Sequence, residues 1–117
     1  MTMRSTIITK GIDASEAMRE YIMERVEAAL SHAQDSIHYI TVRISDMNGP
    51  KGGIDKRCQI HLKPMGLPAV IVTEVSASVS DAIDGAAQRA AKVVKRVLDR
   101  ANAIQPINVP VLRRIGV

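Results

Sequence analysis

Two stretches of the chain repeat their apolar residues at helical spacing. In the first, from residue 14 to about residue 32, apolar residues recur about every fourth position, which predicts an amphipathic helix. Asp13 stands where an N-cap is expected, and Glu16 three residues later would complete a capping box. The predicted core stripe is Met18, Ile22, Val26 and Leu30, and the predicted exposed face carries Glu20, Glu24 and Glu27.

The second helical stretch begins near Ser78 or Ser80 and continues to about Ala103. Ser78 and Asp81 have the spacing of a capping box. Small residues dominate its apolar stripe and favour close packing on a sheet. That stripe comprises Ile83, Ala86 or Ala87, Ala90, Val94, Val97 and Ala101. Gly85 interrupts the pattern and costs the helix ~1 kcal/mol relative to alanine.

Four shorter runs have the β-branched or alternating composition of strands. They are residues 4–9, 37–47, 57–63 and 71–77. In the last run Ile71, Thr73, Val75 and Ala77 share a face. Glycine- and proline-containing turns separate the last three runs, and these turns are too short for crossover connections. The three runs therefore predict an antiparallel meander.

The predicted order of elements is β-α-β-β-β-α. A right-handed crossover in the first βαβ unit makes the first two strands parallel. Both helices then cover one face of a four-stranded mixed sheet, giving an α+β two-layer sandwich with the plan of double-stranded-RNA-binding domains. We expect residues 1–103 to form this domain and residues 104–117, which contain Pro106 and Pro110, to form an extended C-terminal tail.

Composition and charge narrow the class of partner. The chain has 117 residues, no Phe and no Trp, so a ring-lined pocket for a small-molecule substrate is not expected. Residues 1–50 hold five Lys/Arg and seven Asp/Glu, whereas residues 51–117 hold eleven and five. A cationic second half on a chain of net charge +4 favours a polyanionic partner, and nucleic acid is the commonest.

The strongest candidate site is a row of cations on the second helix. Arg89, Lys92, Arg96 and Arg100 are spaced by 3, 4 and 4 residues, which puts them on one helix face, and Lys95 lies beside them. This row is roughly 16 Å long. It could contact several phosphates of an RNA, and such binding weakens steeply with salt. The alternative is an ordinary solvated helix face.

A second candidate is the glycine-rich segment between two predicted strands, residues 48–57. It combines Lys51, Lys56 and Arg57 with glycines that allow close backbone approach to an anion. It is not a P-loop, because the Lys-Ser/Thr step is absent and no helix follows. The alternative interpretation is a hairpin loop that needs glycine for its backbone conformation.

Catalytic and metal chemistry find little support. Cys58 and His61 have opposite parity on a strand and should point to opposite faces. His32, His38 and His61 lack the spacing of metal ligands, so we expect neither a metal nor a cofactor. We find no set of nucleophile, base and orienting group, which argues against an enzyme. We see no aromatic pair on the middle strands, so base stacking is not expected.

The compartment predicted from the sequence is the cytoplasm. The single Cys58 cannot form an internal disulfide, the N-terminal residues lack the apolar stretch of a signal peptide, and the apolar runs are too short to span a membrane.

Three segments resemble the hibernation promoting factor / ribosome-associated inhibitor A family, also called sigma-54 modulation proteins. They are GIDASEAMREYI at residues 11–22, VRISDMNGPKGGIDKRC at residues 42–58, and Ala82-Ile83-Asp84 followed by Arg89, Lys92 and Arg96. In the family an Ala-Ile-Asp element opens the second helix and a basic stripe follows it. The resemblance covers residues 5 to about 100, and no C-terminal domain like that of the long members is seen. The chain therefore resembles a short form, or a divergent stand-alone member with a different partner.

The resemblance implies a non-enzymatic factor that binds the RNA of the small ribosomal subunit in the decoding channel, where tRNA and mRNA lie, and silences translation by occlusion in stress or stationary phase. Arg89, Lys92 and Arg96 match basic positions of the family. Three features differ from the family pattern: the first helix is mostly acidic, Ser80 stands where an aromatic residue is common, and Gly85 loosens the start of the second helix.

Two other functions remain alternatives. One is a protein-interaction regulator that uses the open sheet face or the first helix, and the other is a generic binder of structured RNA. The sequence does not fix the oligomeric state, and dimerisation through the open sheet face is left open.

Overall fold

The computed structural model describes residues 4–47 and 56–104, and the elements have the predicted order. The strands are β1 (Arg4–Lys10), β2 (Ile37–Asp46), β3 (Lys56–Pro64) and β4 (Val70–Ser76). The helices are α1 (Glu16–Ala29) and α2 (Val79–Ile104), and a short 3₁₀ helix, Ser31–Ser36, leads from α1 into β2.

The four strands form one mixed sheet in the order β1-β2-β3-β4. β1 runs parallel to β2, while β2, β3 and β4 form an antiparallel meander, which confirms the predicted pairing. The register places Val42 beside Ile7 of β1 and Ile60 of β3, and Ile60 beside Val72 of β4. Directly opposed residues point to the same side of a sheet, so this row crosses one face of all four strands.

The hydrophobic core lies between that face of the sheet and the two helices. Ile40, Val42 and Ile44 of β2, Cys58, Ile60 and Leu62 of β3, Ile22 and Val26 of α1, and Ile83, Ala90 and Val94 of α2 are at most 1% exposed. Each buried Val, Leu or Ile side chain contributes roughly 1.5–3 kcal/mol to the free energy of folding, relative to leaving it exposed. Both helices therefore occupy one layer and leave the opposite sheet face open, which confirms the two-layer sandwich.

The edge strand β4 has apolar residues on both of its faces. Ile71, Thr73 and Val75 share a face, as the sequence predicts, and that face is the one turned away from the helices, with Ile71 56% and Val75 39% exposed. The alternate residues Val70 and Val72 join the core. Alternation alone could not identify the inner face of β4, because both faces carry β-branched residues.

The predicted cap of the second helix is confirmed and that of the first is wrong. The Ser78 hydroxyl accepts a hydrogen bond from the backbone N–H of Asp81 at 3.1 Å, and α2 begins at the next residue, Val79. The N-cap of α1 is Ser15 and not Asp13, because the Ser15 hydroxyl accepts from the Met18 N–H at 3.1 Å. The helix therefore begins two residues later than predicted from Asp13.

Two predicted segments lie outside the described residues. They are the glycine-rich turn up to residue 55 and the tail from residue 105 onward. α2 extends to Ile104, one residue beyond the predicted end of the domain. The division of the chain at residue 103 stays a prediction.

Candidate nucleic-acid interface

The five predicted cations of α2 all lie on its exposed side. We call Arg89, Lys92, Lys95, Arg96 and Arg100 the α2 stripe, and each is exposed to solvent. The opposite side of the helix is held against β3 and β4 by buried residues such as Ala90 and Val94. The cations therefore project from a backbone that is fixed by core packing, over the length predicted from the sequence.

Arg89 is held by the edge strand. Its Nη2 lies 3.4 Å from Oε1 of Glu74, and its Nη1 donates a hydrogen bond of 3.4 Å to the Thr73 carbonyl. The Arg89 side chain nevertheless remains 57% exposed, so this surface pair adds little to stability. The contacts point the guanidinium along β4 and leave a large part of it open to an anion.

Gly85 makes room for that arrangement. A Cβ added at Gly85 would lie 2.7 Å from Cγ of Glu74, closer than Cβ atoms approach other atoms in proteins, and 3.0 Å from Cδ, which is tighter than most Cβ contacts. The glycine that weakens the start of α2 thus lets the Glu74 side chain run beside the helix to reach Arg89 one turn later. The sequence alone shows the helix-weakening residue but not the carboxylate that needs it.

The remaining members of the α2 stripe differ in their partners. Lys95 forms an i,i+4 ion pair with Asp99 at 3.2 Å, and both side chains are about two-thirds exposed, at 68% and 64%. Within residues 4–47 and 56–104, Lys92, Arg96 and Arg100 have no ion-pair partner. These three cations are available to a phosphate without breaking an existing contact.

Arg100 also lines an apolar groove at the far end of α2. The groove has a volume of about 330 Å³. Its other walls are Leu67, Pro68, Ala69 and Val70 from the turn into β4, and Val97 and Ala101 from α2. The groove extends the α2 stripe toward the turn between β3 and β4.

The glycine-rich segment does not form one surface in the described part of the chain. Lys51 lies outside the described residues. Lys56 is largely buried, at 21% exposure, and its Nζ is 3.5 Å from the Asp46 carboxylate. Arg57 is exposed on the open face of the sheet, the side away from α2, where it is opposed to Ser45 and Val75. Lys56 and Arg57 therefore do not extend the α2 stripe.

Arg57 instead belongs to a group of cations that the sequence pattern did not reveal. Lys10 of β1 and Arg43 of β2 lie near it on the open face and line a shared groove of about 210 Å³. The open face also carries an aromatic contact between Tyr39 of β2 and His61 of β3, with ring centroids 6.1 Å apart. The expectation of no aromatic pair on the middle strands is thus wrong, because His61 supplies the second ring.

Asp84, the acidic residue of the Ala82-Ile83-Asp84 element in α2, contacts two side chains of α1. The Tyr21 hydroxyl donates a hydrogen bond to Oδ1 of Asp84 at 2.8 Å, and Nε of Arg25 lies 3.0 Å from the same oxygen. The hydrogen bond to the carboxylate raises the pKa of Tyr21 above its usual 10. Asp84 joins the two helices, while Ala82 and Ile83 are fully buried, so the element is structural.

Cys58 is a core residue with an unreactive thiol. It is fully buried, and burial together with the nearby Glu74 charge raises its pKa to about 12. Its thiolate is therefore scarce near neutral pH, and the thiol is a poor nucleophile. Among the described residues no three His, Cys, Asp or Glu side chains are grouped so that they could hold a metal ion.

No helix in the described part of the chain combines the length and apolar character required to cross a bilayer.

The fold and its surfaces define a two-layer α+β domain with cations along one exposed helix and across the opposite sheet face. Comparison with known proteins gives the family. The chain belongs to the sigma 54 modulation protein / S30EA ribosomal protein family, whose model matches residues 6–102. Members of this family are non-enzymatic, ribosome-associated proteins of the hibernation type, which confirms the resemblance inferred from the sequence.

Solved structures of two proteins are among those similar to this chain. The N-terminal domain of Protein Y from Thermus thermophilus is 28% identical, with a TM-score of 0.65 over 83% of this chain and 99% of that one. A ribosomal subunit interface protein from Coxiella burnetii has a TM-score of 0.67 over 85% of this chain and 99% of that one, and its 16% identity shows the fold alone. A search of curated proteins found no significant match.

Proposed function

We propose that this chain binds the RNA of the small ribosomal subunit through the α2 stripe, near the decoding and tRNA channel, and silences translation there under stress or in stationary phase. The observation that carries the proposal is the row of exposed cations on α2, three of which have no ion-pair partner in the described ranges. The membership of a ribosomal protein family supplies the ribosome as the source of the polyanion.

Binding by the α2 stripe would be mainly electrostatic. Each cation that neutralises a phosphate releases condensed counterions, so affinity falls steeply as salt rises. Arginines at positions 89, 96 and 100 can also hold a phosphate by two parallel hydrogen bonds, which a lysine cannot do. A stripe of mixed Arg and Lys thus combines long-range attraction with fixed phosphate contacts.

Arg89 could exchange its contact with Glu74 for a contact with an RNA phosphate. Its partner Glu74 is 31% exposed and the distance between the charged atoms is 3.4 Å, so water already reaches the pair. A phosphate could replace the carboxylate at the guanidinium without uncovering a buried charge. The Glu74 contact would hold Arg89 close to its bound position and reduce the entropy lost on binding.

Silencing by this mechanism needs no chemical step. A domain held in the channel would exclude tRNA and mRNA from the space it fills, and translation would resume when the domain leaves. Association with ribosomes also implies a cytoplasmic location for the chain.

The direct test is co-sedimentation of the tagged chain with small subunits on sucrose gradients from stationary cells. We expect the wild-type chain to sediment with the small subunit and to be released by moderate salt. The triple variant Arg89→Glu, Lys92→Glu, Arg96→Glu reverses three charges on one helix face, so we expect about a hundredfold weaker association or more. Association that persists in the triple variant would refute the α2 stripe as the site.

A matched control for the charge change lies on the other helix. Arg19 of α1 is exposed and has no ion-pair partner in the part of the chain that the structure describes. Arg19→Glu and Arg96→Glu change the net charge equally, and only the second removes a member of the α2 stripe. Equal loss of small-subunit binding in both single variants would mean that net charge, rather than the stripe, governs association.

The generic structured-RNA function is tested with the same proteins. A hairpin duplex of unrelated sequence should bind far more weakly than small subunits if the ribosome is the specific partner. Equal affinity for both would favour a generic duplex binder over a ribosomal factor.

A further inference from the structure

The face of the sheet opposite the helices carries a second set of cations together with aromatic rings. We propose that this open face binds single-stranded RNA, with unpaired bases against Tyr39 and His61 and phosphates against Lys10, Arg43 and Arg57. The inference goes beyond the proposed function, because it assigns a second RNA contact on the layer that the α2 stripe does not reach. We call these five residues the open-face site.

The charge of the open-face site is of one sign. In one row of the strand register, Lys10 and Arg57 lie on either side of Ser45. Arg43 lies in the next row on the same face, between Ile8 and Gln59. The three cations therefore occupy adjacent rows at one end of the face. No carboxylate occupies an outward position of any of the four strands in the described ranges. The three cations have no ion-pair partner among the described residues. A surface of this kind complements phosphate.

The rings lie toward the other end of the same face. Tyr39 and His61 are on the two central strands, half-buried, with their planes inclined at 63°. Because the two rings meet edge to face rather than face to face, they leave ring surface on which a base can stack. His38 adds a third ring, with its centroid 5.9 Å from that of Tyr39.

Cations lie at both ends of the face with the rings among them, since Arg4 of β1 and Lys63 of β3 are opposed to Tyr39 in the strand register. This arrangement suits an extended strand of RNA. Arg43 is four residues from Tyr39 along β2, a distance of roughly 13 Å. Apolar side chains fill part of the remaining surface, since Ile71 is 56% and Ile8 39% exposed. Rings and apolar side chains can contact bases only where the bases are unpaired, because a duplex hides their faces in its stack. The site therefore favours single-stranded over duplex RNA.

A fluorescein-labelled oligouridine and a hairpin duplex of equal length are the probes for this site. Fluorescence anisotropy of the full chain should show tighter binding of the oligouridine than of the duplex. Arg43→Glu should weaken oligouridine binding about tenfold, whereas Arg19→Glu, an equal charge change on α1, should change it less than about threefold. Equal loss in the two variants, or equal affinity for the two probes, would overturn the proposal.

Ring chemistry is tested separately from charge. Tyr39→Leu removes the ring and should weaken oligouridine binding about fivefold or more, while Tyr39→Phe keeps the ring and should retain wild-type affinity. Circular dichroism checks that each variant is folded. If Tyr39→Leu binds oligouridine as the wild type does, the face offers no base contact and the proposal fails.

The two RNA proposals fail in different ways. Chemical-shift changes on titrating oligouridine should appear first at the amides of β2 and β3, and changes confined to α2 would contradict the open-face site. The triple reversal on the α2 stripe is read instead by small-subunit co-sedimentation. An oligouridine that binds only through α2 would leave the proposed function intact and remove this inference.

Discussion

The two helices of this chain carry similar aliphatic residues on the sides that face the sheet. On the sides exposed to water they carry charges of opposite sign. Both bury an aliphatic stripe in one shared core. The exposed side of α1 carries Glu16, Glu20, Glu24 and Glu27, whereas that of α2 carries the α2 stripe. Core packing therefore fixes where each helix lies and leaves the charge of its outer face free. This difference is the reason that the proposed function assigns the polyanion to α2 rather than to α1.

The first prediction has the largest expected effect and concerns the buried sides of the two helices. Ile22 of α1 and Ile83 of α2 are both fully buried, so truncating either to alanine removes the same aliphatic group and leaves a cavity. We expect each variant to lower the free energy of unfolding by about 2–5 kcal/mol. Urea unfolding at equilibrium measures both. A loss at one helix several times that at the other would break the equivalence of their buried sides.

The second prediction concerns the glycine that only α2 contains. In the wild-type chain Gly85→Ala should give none of the ~1 kcal/mol that alanine contributes to helix stability, because the new Cβ would collide with Glu74. In a Glu74→Ala background the same substitution should stabilise the protein by about 1 kcal/mol. Thermal and urea unfolding of the four proteins complete the cycle. Equal effects of Gly85→Ala in both backgrounds would show that Glu74 does not require the glycine.

The third and smallest prediction concerns the contact that joins the two helices. The Asp84 carboxylate accepts a hydrogen bond from the Tyr21 hydroxyl and raises the pKa of Tyr21. Asp84→Asn should therefore bring that pKa back toward 10 and lower the melting temperature slightly. Ultraviolet titration of the phenolate measures the shift, and Tyr39→Phe removes the only other tyrosine signal. An unchanged titration curve would mean that this hydrogen bond is absent in solution.

The sign of the pH dependence follows from the direction of that shift. A tyrosine whose pKa is higher in the folded state stays protonated, and keeps its hydrogen bond to the Asp84 carboxylate, as the pH rises to 10. Stability from the contact is lost only as the pH rises past 10 and through the higher pKa of the folded protein. We expect the wild-type chain and the Asp84→Asn variant to differ near neutral pH and to converge in alkali.

Much of the fold was predictable because the signals are local. Helical and alternating periods gave the elements, and short turns gave the meander. The cap of α1 was not predicted, because Asp13 and Ser15 can both accept a hydrogen bond from a helix N-terminus, and only the backbone path after β1 decides between them. The inner face of β4 was not predicted either, since apolar residues occupy both of its sides.

The candidate sites show the same division between local and long-range information. The α2 stripe follows from spacing within one helix. The open-face site requires the register of three strands, which brings Lys10, Arg43 and Arg57 together from distant parts of the chain. The opposite parity of adjacent strand residues is enough by itself to place Lys56 and Arg57 on different faces. The partnership of Glu74 with Gly85 and Arg89 depends on how the helix packs on β4, which no sequence period encodes.

We expect Arg89 to affect the solubility of the chain as well. β4 ends the sheet, and an unprotected terminal strand offers its backbone to the strand of another molecule. The outward residues of β4, Ile71, Thr73 and Val75, carry no charge to discourage that pairing. The guanidinium of Arg89 reaches the Thr73 carbonyl and places a cation along this border. Replacing Arg89 with an uncharged residue should therefore promote aggregation at high protein concentration, whatever it does to RNA.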